Sequence, residues 1–263
     1  MSYLNPQPTK SLTIDALAVA IYKNPTKLAQ AAAQTVQNYL QDVLSQKETA
    51  TVIWATGSSQ LKFLAALTAL GGVNWNRVTC FHLDEYLGIK PTHPASFRSY
   101  LQEKVENVLQ TGKFAYLEGN TKEPLRECDR YAKLIQAQPI DLCFLGVGEN
   151  GHLAFNEPNL ADLHDPDPVK LVKLAKATRQ QQITTGYFPK LTAVPKYAFT
   201  LTIPTILSAQ KIICLAPQKR KSSIIREMLT GKISSACPAS FLRQHPHASL
   251  FLDTAAASLL EFS

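Results

Sequence analysis

The fold is decided by residues 140–158, which read IDLCFLGVGENGHLAFNEP. The first eight of these residues form an apolar run, typical of a strand buried on both faces within a parallel sheet. Glycines stand at positions 146, 148 and 151, where this run ends, and Asn150, His152, Asn156 and Glu157 come within a few residues of them. Glycines beside a strand end indicate close approach of the backbone to another group. The stretch therefore predicts a central strand that carries polar chemistry at its carboxyl end.

Short apolar runs alternate with longer amphipathic ones along the rest of the chain. Further strands are predicted at residues 51–55, 78–83, 199–203, 211–215 and 249–252, and the clearest helices at residues 31–44 and 60–70. This alternation predicts an α/β fold: a single Rossmann-like domain over residues 1–263, with a mainly parallel sheet and helices on both faces. Because ligands of such sheets bind outside the carboxyl ends of the strands, the residues that follow each strand are the candidates for function.

Composition limits the classes of protein that the chain can belong to. The 263 residues are 45% hydrophobic and 18% charged, which excludes an intrinsically disordered chain. The net charge is +7, but the basic residues are scattered, so we expect an anionic small molecule rather than nucleic acid as the partner. No apolar run approaches the ~18 residues of a membrane span, and the N-terminus does not resemble a signal peptide.

The five cysteines indicate a reducing compartment. They are odd in number and form no CxxC pair, and Cys143 and Cys214 lie inside apolar runs, where they are expected to be small buried hydrophobes. We therefore expect a cytoplasmic protein.

The first candidate site follows the strand at residues 51–55. Thr56, Gly57, Ser58 and Ser59 lie between this strand and a helix, where free N–H groups, the helix dipole and hydroxyls favour an anion such as phosphate. The alternative is a plain helix cap, since Ser and Thr are common there. A Walker A loop is excluded because no Gly-Lys-Ser/Thr follows.

The second candidate site follows the strand at residues 78–83. Asp84 and Glu85 are adjacent there and point to different sides, so only one of them is expected to face a cleft. That carboxylate could be a general base or a metal ligand. The alternative is an acidic helix start that complements the helix dipole.

The third candidate site is the cluster after residue 147. His152 titrates near neutral pH, and Glu157, five residues further on, could orient it or tune its pKa. The spacing is not that of a HExxH zinc motif, and no G-x-S-x-G surrounds a serine, which disfavours a metal site and a covalent mechanism. Lys219, after the strand at residues 211–215, could bind a phosphate or could lie in a solvated basic patch.

Taken together, these motifs resemble the glucosamine-6-phosphate deaminase (isomerase) family, whose superfamily also holds 6-phosphogluconolactonase. The resemblance runs over about residues 55–253 and rests on LDEYLGI (83–89), HPASF (93–97), GVGENGHLAFNEP (146–158), VPKYAFTLT (194–202), APQKRK (216–221) and HPHASLFLD (245–253). The ending LAFNEP after the Gly-His core favours the deaminase branch over the lactonase branch.

The resemblance implies aldose–ketose isomerisation coupled to loss of ammonium, with neither metal nor organic cofactor. Carried over by position, Asp84 is the base that moves a proton between C2 and C1, and His152, assisted by Glu157, opens the sugar ring. The loop at residues 56–59 and Lys219 would hold the phosphate of the sugar. The resemblance also implies a small-molecule partner, with no nucleic acid or membrane, and a monomer or small homo-oligomer.

Two departures from the family pattern concern the site. Asn150 stands where some members carry an aspartate, and an amide can orient His152 without adding a charge. An arginine for the phosphate is expected shortly before VPKYA; the chain offers Arg179, while the better-aligned position holds Thr184. A lactonase, another sugar-phosphate isomerase, or a sugar-phosphate sensor without catalysis are the alternatives.

Overall fold

A computed structural model of the chain describes residues 6–158, 160–184 and 186–261. The strands are β1 (Lys10–Ile14), β2 (Leu17–Tyr22), β3 (Ala50–Trp54), β4 (Val78–His82), β5 (Asp84–Tyr86), β6 (Lys113–Phe114), β7 (Leu142–Leu145), β8 (Val169–Lys173), β9 (Tyr197–Leu201), β10 (Lys211–Leu215) and β11 (Ala248–Asp253). The helices are α1 (Pro25–Gln46), α2 (Ser58–Leu70), α3 (Phe97–Leu101), α4 (Asn107–Leu109), α5 (Pro124–Gln136), α6 (Lys176–Thr184), α7 (Ile203–Leu207) and α8 (Ser222–Thr230). Short 3₁₀ turns and one π-helical turn between α3 and α4 complete the elements.

The main sheet has eight strands in the order β1-β2-β11-β10-β7-β3-β4-β6. Every neighbouring pair in it is parallel except β1 and β2, which form an antiparallel hairpin at one edge. The prediction of an α/β fold with a mainly parallel, Rossmann-like sheet flanked by helices is confirmed. That residues 1–263 form a single domain stays a prediction.

The order of the strands reverses in the middle of this sheet. From β3 the chain builds outward through β4 to β6, and it then returns to place β7 on the other side of β3 before continuing to β10 and β11. The connections that leave β3 and β7 therefore separate to opposite faces. A crevice opens between them at the carboxyl ends of the strands, where ligands of such sheets bind.

A second, smaller sheet stands beside this crevice. It contains β5, β9 and β8, which pair antiparallel, with Asp84 opposite Thr200. The strand predicted at residues 199–203 is thus observed as β9 and belongs to this sheet rather than to the parallel one. Its partner β5 follows β4 after the single residue Leu83, whose carbonyl accepts a hydrogen bond from Leu201 N–H at 2.8 Å.

The buried imidazole of His82 fixes the bend between β4 and β5. Because its Nε2 accepts from the N–H of Leu117 at 2.9 Å, its Nδ1 carries the proton and donates to the carbonyl of Asp84, also at 2.9 Å. Burial lowers the pKa of His82 to about 3, so the ring is neutral. The side chain of a buried histidine thus joins the backbone of Asp84 to that of Leu117 at the point where the chain leaves the main sheet.

The centre of the main sheet is packed with aromatic rings. Phe144 on β7 lies 4.6 Å from the ring of Trp54 and 5.1 Å from that of Phe63, measured between centroids, and all three side chains are buried. Cys143 and Cys214 are buried in the same core, as expected of small hydrophobes. Among the described helices, none is long and apolar enough to cross a membrane.

Replacing Phe144 by Ala should lower the free energy of unfolding by about 3–5 kcal/mol, because the large ring leaves a cavity between Trp54 and Phe63 that the sheet cannot close. Urea unfolding monitored by tryptophan fluorescence measures the change. The control is Leu125→Ala, since Leu125 is 70% exposed and its truncation should change stability by less than about 0.5 kcal/mol. Equal effects of the two substitutions would contradict this account of the core.

Candidate active site

A cavity of about 510 Å³ occupies the crevice at the reversal of strand order. It is lined by residues that follow four strands: 55–59 after β3, Leu83 and Asp84 after β4, 146–148 after β7, and 215–218 with Arg220 and Lys221 at the end of β10 and after it. His152, Thr178 and several apolar and aromatic side chains complete the wall. Three of the regions singled out in the sequence therefore meet around one space.

The loop after β3 presents its backbone to this cavity. Thr56, Gly57, Ser58 and Ser59 all line it, and α2 begins at Ser58. Gly57 has φ of 102°, a conformation that L side chains rarely adopt. No side chain within the described residues caps the first turn of α2, so the hydroxyls of this loop do not act as helix caps. The free N–H groups and the hydroxyls suit an anion.

Asp84 and Glu85 point in different directions, as expected. Asp84 is buried and lines the cavity. The carboxylate of Glu85 turns away and accepts hydrogen bonds from Ser96 Oγ at 2.7 Å and from the N–H of Arg98 at 2.9 Å, at the start of α3. Burial, with a smaller contribution from Glu85, raises the pKa of Asp84 well above its usual range. Asp84 is thus a desolvated carboxyl group, a stronger base than one in water.

His152, Asn150 and Glu157 form a chain of hydrogen bonds beside the cavity. The Nδ1 of His152 lies 2.7 Å from the Oδ1 of Asn150, and the Nδ2 of Asn150 donates to Glu157 Oε2 at 2.8 Å. Glu157 is 3% exposed, whereas His152 reaches the cavity wall. Oε2 of Glu157 also lies 3.8 Å from Nδ1 of His152, close enough for its charge to act directly on the ring.

This chain determines which nitrogen of His152 carries the proton. An ionised carboxylate only accepts hydrogen bonds, so Asn150 must turn its NH₂ group towards Glu157 and its oxygen towards His152. The same oxygen accepts the backbone N–H of His152 at 3.2 Å, which agrees with that orientation. Nδ1 is therefore the protonated nitrogen, and Nε2 keeps a lone pair that can accept a proton.

Gly148 makes room for this histidine. A Cβ atom at Gly148 would lie 2.3–2.5 Å from three atoms of the His152 ring, closer than non-bonded atoms approach. The backbone N–H of Gly148 also donates to the carbonyl of His152 at 3.0 Å, which closes the loop. The glycine after the central strand is thus explained by the packing of the imidazole against the backbone.

Most of the chain is similar to known proteins. Residues 23–251 match the model of the glucosamine-6-phosphate isomerase/6-phosphogluconolactonase family. The chain belongs to this family. It is 37% identical to a glucosamine-6-phosphate deaminase of Exiguobacterium sibiricum over 223 residues, 84% of this chain and 85% of that protein. It is 33% identical to a deaminase of Bacillus thuringiensis over 241 residues, 92% of this chain and 88% of that protein.

Solved structures agree with the sequence comparison. The structure of a monomeric glucosamine-6-phosphate deaminase of the NagB superfamily superimposes with a TM-score of 0.84 at 31% identity, over 92% of this chain and 99% of that one. A 6-phosphogluconolactonase of Thermotoga maritima gives a TM-score of 0.72 at 18% identity, over 90% of this chain and 99% of that one. The second likeness shows the fold alone.

Two basic residues predicted for the phosphate lie outside the cavity wall of this family member. Lys219 is exposed and is not among the lining residues. Arg179, on α6, donates instead to the carbonyls of Leu191 at 2.6 Å and Val194 at 2.9 Å and so anchors its helix. The side chain of Thr184 lies outside the described part of the chain.

Arg220 and Lys221 are the two Lys or Arg side chains among the described lining residues. Lys221 is 8% exposed, and burial together with the nearby charge of Arg220 lowers its pKa to about 8. Arg220 donates to Glu149 at 3.0 Å and lies 3.4 Å from the hydroxyl of Ser58 in the loop after β3. The sequence cluster APQKRK contained these residues, but its spacing alone does not show which basic side chain turns inward.

No group of three or more His, Cys, Asp or Glu side chains in the described ranges is arranged to hold a metal ion. Among the described lining residues, Asp84 is the one carboxylic acid and His152 the one histidine. Burial lowers the pKa of His152, and the opposing charge of Glu157 raises it. The neutral imidazole is the form that the burial favours.

Replacing Glu157 by Gln should lower the pKa of His152 further, because the amide keeps the shape of the carboxylate and removes its charge. Selective ¹⁵N labelling of histidine and an NMR titration measure this pKa. Glu149→Gln is the matched control: Glu149 also raises the pKa of His152, but by less, so its loss should lower the value by a smaller amount. An unchanged or increased pKa in Glu157→Gln would show that the two groups are not coupled.

Proposed function

We propose that this protein is a glucosamine-6-phosphate deaminase, which converts the amino-sugar phosphate and water to fructose 6-phosphate and ammonium. The observation that carries the proposal is that an anion-binding loop, a buried carboxylate and a histidine with a free Nε2 surround one cavity. Relatives at 33–37% identity over most of the chain bear the same name. We also propose a cytoplasmic enzyme that acts as a monomer or small homo-oligomer, needs no cofactor and binds neither nucleic acid nor a membrane.

The phosphate of the sugar is proposed to bind at residues 56–59, at the first turn of α2. Backbone N–H groups, hydroxyls and the positive end of the helix dipole are favourable partners for a dianion. Arg220, which lies 3.4 Å from the Ser58 hydroxyl, supplies positive charge beside this loop, and Lys221 lines the same cavity. The sugar ring then extends across the cavity towards Asp84 and His152.

Ring opening is assigned to His152. Its Nε2 accepts the proton of the hydroxyl on C1, the bond between C1 and the ring oxygen breaks, and the ring oxygen receives the proton. Asn150 keeps Nδ1 protonated throughout, so the same nitrogen of the ring both takes and returns the proton. The charge of Glu157 stabilises the imidazolium that forms in between.

Isomerisation is assigned to Asp84. In the open-chain aldehyde, its carboxylate takes the proton from C2, and the ammonium group on C2 gives a proton to the carbonyl oxygen, so that an enol with a neutral amino group on C2 forms. Return of this proton to C1 gives the iminium ion of fructose 6-phosphate, which water hydrolyses to the ketone and ammonium. The low dielectric around the buried Asp84 strengthens its basicity, and the ammonium group of the substrate favours the ionised form when it binds.

Replacing Asp84 by Asn should abolish turnover while sparing substrate binding, because the amide keeps the shape but cannot take the proton from C2. A loss of about 10²–10⁴-fold or more in kcat is expected when a positioned base is removed. Ammonium release from glucosamine 6-phosphate measures kcat, and calorimetric titration measures binding.

The control is Asp129→Asn, which makes the same chemical change on the exposed surface of α5 and should leave kcat and KM unchanged. An Asp84→Asn enzyme with wild-type ammonium release would remove Asp84 as the base. Wild-type protein that releases no ammonium would contradict the proposed function itself.

Lys221→Ala and Lys219→Ala form a matched pair that identifies the lysine at the phosphate. Loss of a charge-assisted hydrogen bond of about 1.5–3 kcal/mol should raise KM about 10- to 100-fold in Lys221→Ala, with a smaller effect on kcat. Lys219→Ala should change KM little, because Lys219 is exposed and away from the cavity wall. Steady-state ammonium release gives both constants.

The wild-type KM should also depend on pH. The ammonium form of Lys221 is present below its pKa of about 8 and is lost as pH rises through it, so KM should increase above that pH.

A larger increase of KM in Lys219→Ala than in Lys221→Ala would assign the phosphate to Lys219, as the family resemblance implies.

A further inference from the structure

Thr178 makes a contact that the proposed chemistry does not use. Its hydroxyl donates a short hydrogen bond to Oε1 of Glu157, the carboxylate oxygen that Asn150 leaves free. Thr178 is 4% exposed and Glu157 is 3% exposed, so water has little access to the contact. Both oxygens of this buried carboxylate therefore have a donor from the protein.

Thr178 belongs to α6, the helix that covers one side of the cavity. On the same face of the helix, Gln181 and Gln182 line the cavity one turn further on. On the other side, Arg179 holds α6 to the carbonyls of Leu191 and Val194. Thr178 thus attaches α6 to the chain of hydrogen bonds that ends at His152, and Arg179 attaches it to the segment before β9.

We propose that Thr178 is a positioning residue that couples the seating of α6 to the tautomer of His152. The inference rests on the proposed function in one respect: His152 is taken as the group that accepts a proton through Nε2. The connection runs from the Thr178 hydroxyl to Glu157, from Glu157 to the NH₂ group of Asn150, and from the oxygen of Asn150 to the imidazole.

The Thr178 hydroxyl influences His152 because each group in this connection can donate or accept only certain hydrogen bonds. With its donor at Oε1 removed, the buried carboxylate of Glu157 keeps one unpaired oxygen, which favours rotation of the side chain. A rotated Glu157 no longer requires the NH₂ group of Asn150. The amide can then turn over and present NH₂ to Nδ1 of His152, which moves the ring proton to Nε2 and removes the lone pair from the cavity.

The need to fix the tautomer of His152 also explains why an uncharged residue, Asn150, is sufficient as its partner. The amide transmits orientation but no charge, so Glu157 is the sole carboxylate of the hydrogen-bonded chain and must remain ionised and fixed. Two donors, one from Asn150 and one from Thr178, achieve this without a second charged group. One of these two donors is supplied by α6.

The test compares Thr178→Val, which keeps the shape of the side chain and removes the hydroxyl, with Thr178→Ser, which keeps the hydroxyl. In the wild-type protein labelled with ¹⁵N-histidine, NMR should report Nδ1–H for His152, with the signal assigned through His152→Gln. Thr178→Val should shift the population towards Nε2–H, and Thr178→Ser should retain the wild-type tautomer. Thr35→Val, which removes a hydroxyl on α1 far along the chain, is the control for loss of a threonine hydroxyl.

Kinetics supply the second measurement. Thr178→Val should lower kcat about 10- to 100-fold, part of the 10²–10⁴-fold that a positioned acid–base group contributes, with KM changed less than kcat. Thr178→Ser should recover activity to within about threefold of wild type, since the donor is restored.

Two results would overturn the proposal. One is a Thr178→Val protein with the wild-type tautomer of His152 and wild-type kcat. The other is a Thr178→Ser protein whose kcat falls as far as that of Thr178→Val, which would show that packing and not the hydroxyl matters. The NMR measurement does not require activity, so a wild-type protein that failed to release ammonium would contradict the proposed function and still leave the role of Thr178 open to test.

Discussion

The reversal of strand order between β3 and β7 is the constraint on which the rest of this structure depends. Strands on either side of the reversal send their connections to opposite faces, so the sheet cannot close over the carboxyl ends of these two strands. Backbone N–H groups at the start of α2 and the loop after β7 are left facing one crevice. The crevice is a consequence of the strand order, and the side chains that line it determine its chemistry.

Two histidines then fix the geometry of the crevice in different ways. His82, neutral and hydrogen-bonded at both nitrogens, turns the chain out of the main sheet so that Asp84 faces the crevice. His152 is held by the amide of Asn150 and leaves one nitrogen available at the cavity. In both cases the protein determines the tautomer through the partner of one ring nitrogen, and it keeps the ring uncharged by burial.

Much of this arrangement could be predicted from the sequence. The apolar run at residues 140–147, the alternation of strands and helices and the glycines after the central strand predict the parallel sheet and the edge of it that binds ligands. The opposite directions of Asp84 and Glu85 follow from the alternation of a strand. The hairpin β1–β2 was not predicted, because β1 is short, has no buried residue and lies at the sheet edge. The placement of β9 in a separate sheet was missed as well, since an apolar run does not specify its partner.

The basic residues of the site were the least predictable from the sequence. Lys219, Arg220 and Lys221 are consecutive, and which of them turns inward depends on the short 3₁₀ turn that they form after β10. Arg179 is charged and near the expected position in sequence, yet its guanidinium anchors α6 to backbone carbonyls. Local charge patterns do not specify the direction in which these side chains point, because that direction depends on the tertiary contacts that each side chain makes.

The most direct test of the account is to offer the purified wild-type protein both substrates named in its family, glucosamine 6-phosphate and 6-phosphogluconolactone. The roles proposed for Asp84 and His152, which line the same cavity, suit the amino-sugar phosphate. The account predicts that ammonium and fructose 6-phosphate appear in equal amounts, and that the lactone hydrolyses no faster than in buffer. Accelerated hydrolysis of the lactone without release of ammonium would contradict it.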